Sequence, residues 1–365
     1  ADDTNILQQL LEEIKSTQRI VLDCHNAGTA YRFLLPYLAI SPGEWVLTGT
    51  DRMKQRPIAP LVDALRQLGA DVEYLENPGF PPLRIRGRAL QGGKVSLDSS
   101  SSSQFSSALM MLGAFLPGGL DIDLRGDPVS QPYVKMTAKL LAHFGIPAKV
   151  KNNAISLYPM AFRSKEIVCE PDWSAASYWY ELACLSEDSE ILLKDLHFTG
   201  LQGDEAVAGL FYRLGVHSED SDAGILLRKS RCETDHFIFD FSHNPDLAMT
   251  LAVTAAGLGI SAELSGLHNL VIKESNRLEA LYHELKKVGC ILTAGADTLL
   301  ISPSILHRPE AGVTTYSDHR IAMAFAPLAF VLGEIPVFDP AVTGKSYPDY
   351  WTDLGSMGFK VDFCE

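Results

Sequence analysis

Lys273, Glu274 and Arg277 bring two cations and a carboxylate together, just ahead of Leu278, Leu281, Leu285 and Val288, which fall at helical spacing. Read as a helix start, Lys273 and Arg277 are four apart and face the same way, where like charges repel and the macrodipole disfavours cations. An anion is the expected compensation; the alternative is a surface network with Glu274 and other carboxylates. A cation pair beside a carboxylate also suits binding an anion while moving a proton. Arg320, in Ser317-Asp318-His319-Arg320, meets the same unfavourable dipole, while Asp318 reads equally well as a helix cap. Asp246, behind Asn244-Pro245, is either a first-turn carboxylate that stabilises its helix or a group with chemistry to do. Ser99 to Ser103 has the composition of a linker, but Gln104-Phe105 and the apolar stretch behind it favour a hydroxyl-rich anion loop. Arg52, Lys54, Arg56 and Lys345 read as solvated loop charges when taken singly.

The elements that must position these residues repeat. Asn26-Ala27-Gly28-Thr29-Ala30, Ser101 to Phe105, Asp172 to Ala176, His243 to Leu247 and Ser317 to Ile321 are polar loops running into apolar helices at intervals of about 70 to 76 residues. Each is a helix start, where unpaired N–H groups and the dipole's positive end welcome an anion, so five in register predict one anion-binding face. Second helices close on Leu68-Gly69-Ala70, Phe144-Gly145-Ile146, Leu214-Gly215-Val216 and Val288-Gly289-Cys290, with glycine suited to a left-handed cap. Paired strands follow, so the unit reads βαβαββ. Upstream of Asn26 stand only a capped helix after Asp2-Asp3-Thr4 and a strand from Arg19 to Cys24. The chain is therefore expected to begin inside its first repeat.

Across 365 residues, two domains of about 150 to 200 residues are expected, dividing near Ser164 to Glu170 into 1–168 and 169–365. The first would hold two complete repeats and half of another, the second three. Net charge of −14 excludes a general nucleic-acid surface, so any anion must be held by locally concentrated cations. No apolar run reaches the ~18 residues of a membrane span, and Ile321 to Leu332 reads as a buried helix. Six scattered cysteines without a C-x-x-C pair fit reduced thiols in the cytoplasm better than disulfides or a zinc site.

Taken together, these segments resemble the 3-phosphoshikimate 1-carboxyvinyltransferase family. The match runs through Asn26 to Arg32, Arg52 to Pro57, Ser102 to Phe105, Ser130 to Tyr133, Gln202 to Asp204, Pro245-Asp246, Lys273-Glu274 with Arg277, Asp318-His319-Arg320, and Lys345 with Pro348 to Tyr350. The resemblance implies an α/β fold of two domains, each of βαβαββ units about a pseudo-threefold axis in an inside-out barrel, with the active site between them. It implies transfer of the enolpyruvyl group of phosphoenolpyruvate to the 5-hydroxyl of shikimate 3-phosphate by addition and elimination. No metal or organic cofactor, no nucleic acid and no membrane is expected to take part, and a monomer is the expected form. By position, Asp246 is then the base and Glu274 the proton donor. Gly28, Arg56, Gln104, Arg277, Arg320 and Lys345 contact phosphoenolpyruvate. Ser102, Ser103, Gln104, Ser130, Asp246, Asn269 and Lys273 contact shikimate 3-phosphate.

Some family features differ. Ser275-Asn276 stands where Thr-Asp is usual, and Tyr31 and Phe33 flank Arg32 where Met and Pro are frequent. The family's N-terminal Lys-Ser-x-x-x-Arg motif has no counterpart here, so weak binding or slow turnover is expected of this chain. UDP-N-acetylglucosamine enolpyruvyl transferases are one alternative, but their catalytic-loop cysteine is missing from Thr50 to Ile58. A non-catalytic binding protein derived from the family is another. RNA 3′-phosphate cyclases fit the acidic balance poorly.

Overall fold

A computed structural model describes residues 1–16 and 19–363. It divides into an N-terminal unit, Asp3–Val168 with Leu201–Gly203, and a C-terminal unit, Ala1–Asp2 with Cys169–Gly200 and Asp204–Glu365. Helix α1 (Asp2–Ser16) buries Leu10 and Ile14. The repeats begin after it. The first runs β1 (Arg19–Asp23), α2 (Gly28–Ile40), β2 (Gly43–Thr48), α3 (Ala59–Gln67), β3 (Asp71–Tyr74) and β4 (Leu83–Gly87). The second runs β5 (Gly93–Asp98), α4 (Ser103–Gly113), β6 (Leu120–Arg125), α5 (Gln131–His143), β7 (Lys149–Lys151) and β8 (Ala154–Leu157).

Both sheets share one topology. Their orders are β1-β2-β4-β3 and β5-β6-β8-β7, with the leading pair parallel and the other pairs antiparallel. A parallel pair needs a crossover, supplied by α2 or α4, whereas the last two strands of each sheet need only a turn. In β6, Leu120, Ile122 and Leu124 are buried while Asp121 and Arg125 are exposed, the period of two of a sheet covered on one face. The helices that follow the polar loops differ from the second helices. α2 and α4 are buried almost all round and pack on each other, whereas α3 buries the stripe Leu61, Val62, Ala64 and Leu65.

The C-terminal unit continues with α6 (Trp173–Leu185), β9 (Glu190–Lys194), α7 (Val207–Tyr212), β10 (Val216–Ser221) and β11 (Gly224–Lys229). A full repeat follows: β12 (His236–Asp240), α8 (Ala248–Leu258), β13 (Ser261–Ser265), α9 (Arg277–Lys287), β14 (Ile291–Ala294) and β15 (Leu299–Ser302). The chain closes through α10 (His319–Phe325), α11 (Ala329–Leu332) and α12 (Tyr350–Ser356). Sheet order β12-β13-β15-β14 matches the N-terminal unit. Helices α6, α8 and α10 pack on one another, so three of the polar helix starts come from one cluster. Gly69, Gly145, Gly215 and Gly289 all have φ between 86° and 90°, the left-handed cap their position in the repeat requires.

Three repeats of the full pattern are not what this unit contains. Its first sheet has three strands, β10-β11-β9, and its last repeat keeps one parallel bridge, Val313 to Val337. The segments that would supply the remaining strands are punctuated by Pro159 and Pro171, and by Pro309, Gly312, Gly333, Pro336 and Pro340, which remove N–H donors or favour bends. Ile321 to Leu332 is likewise not one helix: it passes from α10 through a 3-10 turn at Ala326–Leu328, with Pro327 inside it, into α11. Glu181, on α6, is fully buried, and neither of its carboxylate oxygens meets a hydrogen-bond partner.

Candidate active site

In the C-terminal unit the starts of α8, α9 and α10 deliver opposite charges to one point. Arg277, the first residue of α9, is 1% exposed and makes four bonds. Its Nε and Nη2 donate to Asp318 at 2.8 and 3.2 Å, Nη1 donates to Asp246 at 2.9 Å, and Nη2 also donates to Glu274 at 2.8 Å. Arg320 donates through Nη2 to the other Asp246 oxygen at 3.1 Å and through Nη1 to the Tyr178 hydroxyl at 3.3 Å. Lys273 lies 3.5 Å from Asp246, and Lys345 donates to Glu274 at 3.2 Å. The planar guanidinium fork of Arg277 is what lets one side chain join three carboxylates.

Local backbone explains why these groups converge. Asp318 caps α10 by accepting the Arg320 N–H at 3.0 Å and uses the same carboxylate to receive Arg277 and Ser275. It is the cap that the sequence offered and an ion partner as well. Asp246 sits in a 3-10 turn, Pro245–Leu247, ahead of α8, and its oxygens go to cations. Lys273 is not on the helix of Arg277. It has extended backbone after the 3-10 turn His268–Ile272, in which Asn269 is buried, and α9 is capped instead by Asn276. The four-residue spacing is therefore not a helical one; the two cations meet at Asp246 because the chain bends.

Burial alone would raise the Asp246 carboxyl, but Arg320, Lys273 and Arg277 outweigh it and hold the group well below the usual carboxylate range. Burial likewise works against charge on Arg277, and Asp318, Glu274 and Asp246 more than restore it. Asp318 is lowered, with Arg277 and His319 opposing the effect of burial. His319, 4% exposed, is pushed down to about 3, burial being the main cause. Behind the cluster, Asp204 is buried, accepting from the Ser174 hydroxyl at 2.5 Å and from Asn244 at 3.3 Å. Asp172 caps α6 through the Ser174 N–H at 2.8 Å.

The N-terminal unit holds a second polar group at the starts of α2 and α4. Arg32 donates to Gln104 Oε1 at 2.7 Å, and Gln104 Nε2 donates to the Thr29 hydroxyl at 3.0 Å. Arg56 is 5% exposed, so it is no solvated loop charge, whereas Lys54 is drawn to Glu76 at 2.9 Å. Gly28 is hemmed in: a Cβ there would lie 2.7 Å from Arg56 and 2.8 Å from Arg32. Ser102 caps α4 by accepting the Gln104 N–H, and Ser103 is buried behind it. Ser130 opens α5 with φ of 53°, unusual for a residue other than glycine.

The structure thus joins Asp246, Lys273, Glu274, Arg277, Arg320 and Lys345 in one network, while in the N-terminal unit Gln104 bonds Arg32 and Thr29, and Gly28 lies against Arg56 and Arg32. Sequence reasoning passed over Arg32, Tyr178 and the ion pairing of Asp318 with Arg277. A signal for Arg32 was present: it is the lone charge in the apolar run from Ala30 to Leu35.

Repeated βαβαββ units that gather buried cations and carboxylates at helix starts define an enolpyruvyl transferase fold. The EPSP synthase (3-phosphoshikimate 1-carboxyvinyltransferase) family model matches residues 1–354, and the chain belongs to that family. The 3-phosphoshikimate 1-carboxyvinyltransferase of Bacteroides fragilis is 44% identical over 367 residues, covering 100% of this chain and 88% of that protein. Its counterpart from Vibrio cholerae serotype O1 is 36% identical over 363 residues, covering 98% and 84%. Among solved structures, EPSP synthase from Acinetobacter baumannii aligns with a TM-score of 0.73 at 20% identity, covering 94% of this chain and 80% of that one. The enolpyruvyl transferase NikO from Streptomyces tendae aligns at 0.67 and 16%, covering 90% and 76%, and both likenesses speak to the fold.

Proposed function

We propose that this chain transfers the enolpyruvyl group of phosphoenolpyruvate to the 5-hydroxyl of shikimate 3-phosphate and releases phosphate. The observation that carries the reading is the network in which Arg277 holds Asp246, Glu274 and Asp318 together, in a member of this family. Two carboxylates in different surroundings suit two proton-transfer roles. Asp246 takes the proton of the attacking hydroxyl, and Glu274 gives a proton to the phosphoenolpyruvate methylene as the new C–O bond forms at C2. Elimination then returns a proton from the methyl group, breaks the C–O bond to phosphate and restores the double bond.

Arg277, Arg320 and Lys345, with Gly28, Arg56 and Gln104, are assigned to phosphoenolpyruvate. Ser102, Ser103, Gln104, Ser130, Asn269 and Lys273 are assigned to shikimate 3-phosphate, together with Asp246. Arginine's fork suits a phosphate and a carboxylate better than a point charge does. Substrate anions that draw Arg320, Lys273 and Arg277 toward themselves leave Asp246 less stabilised as an anion and so a stronger base. The described cysteines are free thiols, which supports a reducing compartment, the cytoplasm. No helix among the described residues is long and apolar enough to cross a membrane.

Phosphate release from phosphoenolpyruvate and shikimate 3-phosphate tests the reading. Arg277→Ala should raise the phosphoenolpyruvate requirement far more than Asp246→Ala, which should lower turnover. Equal effects of both on substrate affinity alone would overturn the assignment, and no release by the wild-type chain would overturn the function.

A further inference from the structure

Helix α9 grips the loop leading to Arg320 at two places. At its start Arg277 holds Asp318, and two turns later Glu284, fully buried, holds the preceding residues. Glu284 accepts the Thr314 N–H at 3.0 Å, the Tyr316 hydroxyl at 2.7 Å and the Lys287 ammonium at 2.8 Å, while Lys287 also donates to the Thr314 hydroxyl at 3.0 Å. Between the grips, Tyr316 and Ser317 both have φ of 54°. Two consecutive left-handed residues other than glycine persist only where the surroundings fix them. This turn aims Asp318 so that one carboxylate both caps α10 and receives Arg277, and so fixes where Arg320 enters the network.

We propose that Glu284 is a positioning residue for the reaction, acting through Thr314 and Tyr316 to hold the turn that places Asp318 and Arg320. The proposal rests on the function given above. Glu284 touches none of the assigned substrate contacts; its partners are Thr314, Tyr316 and Lys287. The network needs the carboxylate's two acceptor oxygens, one for the phenol and one for the amide and ammonium. A glutamine offers one acceptor, and an aliphatic residue none.

Two variants, Glu284→Gln and Tyr316→Phe, and their double mutant test this by steady-state phosphate release and by amide hydrogen exchange. The phosphoenolpyruvate KM should rise about tenfold in either single variant, with kcat within about threefold and the double mutant close to the singles, as expected of residues acting as one unit. Exchange in Glu284→Gln should quicken about tenfold at the Thr314 and Arg320 amides and stay unchanged in the N-terminal unit. Lower thermal stability with unchanged KM and an unchanged exchange pattern would mean that Glu284 only holds the fold, and the proposal would fall. Tyr316→Phe, which removes one hydroxyl, keeps the test open if Glu284→Gln does not fold. A wild-type chain that releases no phosphate would remove the function reading instead, and the exchange pattern alone would then decide whether Glu284 holds the turn at Tyr316 and Ser317.

Discussion

Glu181 gives a stability measurement whose size and sign follow from its surroundings. Buried in α6 with no partner for either oxygen, it has a pKa that burial alone raises well above 4.5. The folded chain therefore carries a proton there at pH values where the unfolded chain has lost it. A raised folded pKa contributes stability that is fully present below about pH 4.5 and is lost as pH climbs toward the folded value. Each pH unit in that window removes about 1.4 kcal/mol from the wild type and nothing from Glu181→Gln, which does not titrate. As pH rises through that window the variant should gain steadily on the wild type. Glutamine keeps an unpaired polar group, so Glu181→Leu should add a further, pH-independent gain of about 1–3 kcal/mol if its shape is accommodated. Urea unfolding followed by tryptophan emission reads this directly, because Trp173 and Trp179 lie on α6 itself. Groups shared by wild type and variant cancel in the difference. Stability curves that stay parallel from pH 5.5 to 7 would refute the reasoning, since they would mean that Glu181 is ionised or solvated in the folded chain.

His319 governs the acid side. Its folded pKa of about 3 against an ordinary 6.5 contributes stability present above pH 6.5 and lost as pH falls, about 1.4 kcal/mol per unit, so His319→Gln should flatten the acid unfolding curve from pH 6 to 4. Gly28→Ala would push a methyl against the ends of Arg56 and Arg32, flexible groups that can yield. Unfolding free energy should change by less than about 1 kcal/mol while the phosphoenolpyruvate KM rises about tenfold, read by denaturation and phosphate release.

What the sequence made legible was punctuation. Polar entries such as Ser102, Asp172 and Asp318 announce helix starts because their side chains accept the orphan N–H groups, and Gly69, Gly145, Gly215 and Gly289 announce ends because each needs a left-handed backbone. Both signals are local chemistry. The missing strands were not legible, since nothing in the stretch around Ile167 and Val168 distinguishes a strand from an exposed extended segment until partners are known. Lys273 shows the same limit within the site. Its spacing from Arg277 imitated a helix, and only the bend after Ile272 revealed that two different backbone conformations bring the cations to Asp246. Glu181 and Glu284 illustrate the converse: neither carboxylate looks different in sequence, yet one is buried without a partner and the other with three.

The packing of α6, α8 and α10 brings positive helix ends close to Arg277, Arg320 and Lys273, and Asp172, Asp246, Glu274 and Asp318 offset that crowding. Many proteins keep their working residues at the expense of robustness, so that neutralising such residues makes the fold sturdier. Here the relation is reversed for at least one residue. Asp318 is a keystone as much as a tool, because removing its charge leaves a buried guanidinium short of a fully buried counter-ion and α10 without its cap. A substitution there therefore costs twice, once at the start of α10 and once at the buried end of α9 that Arg277 occupies.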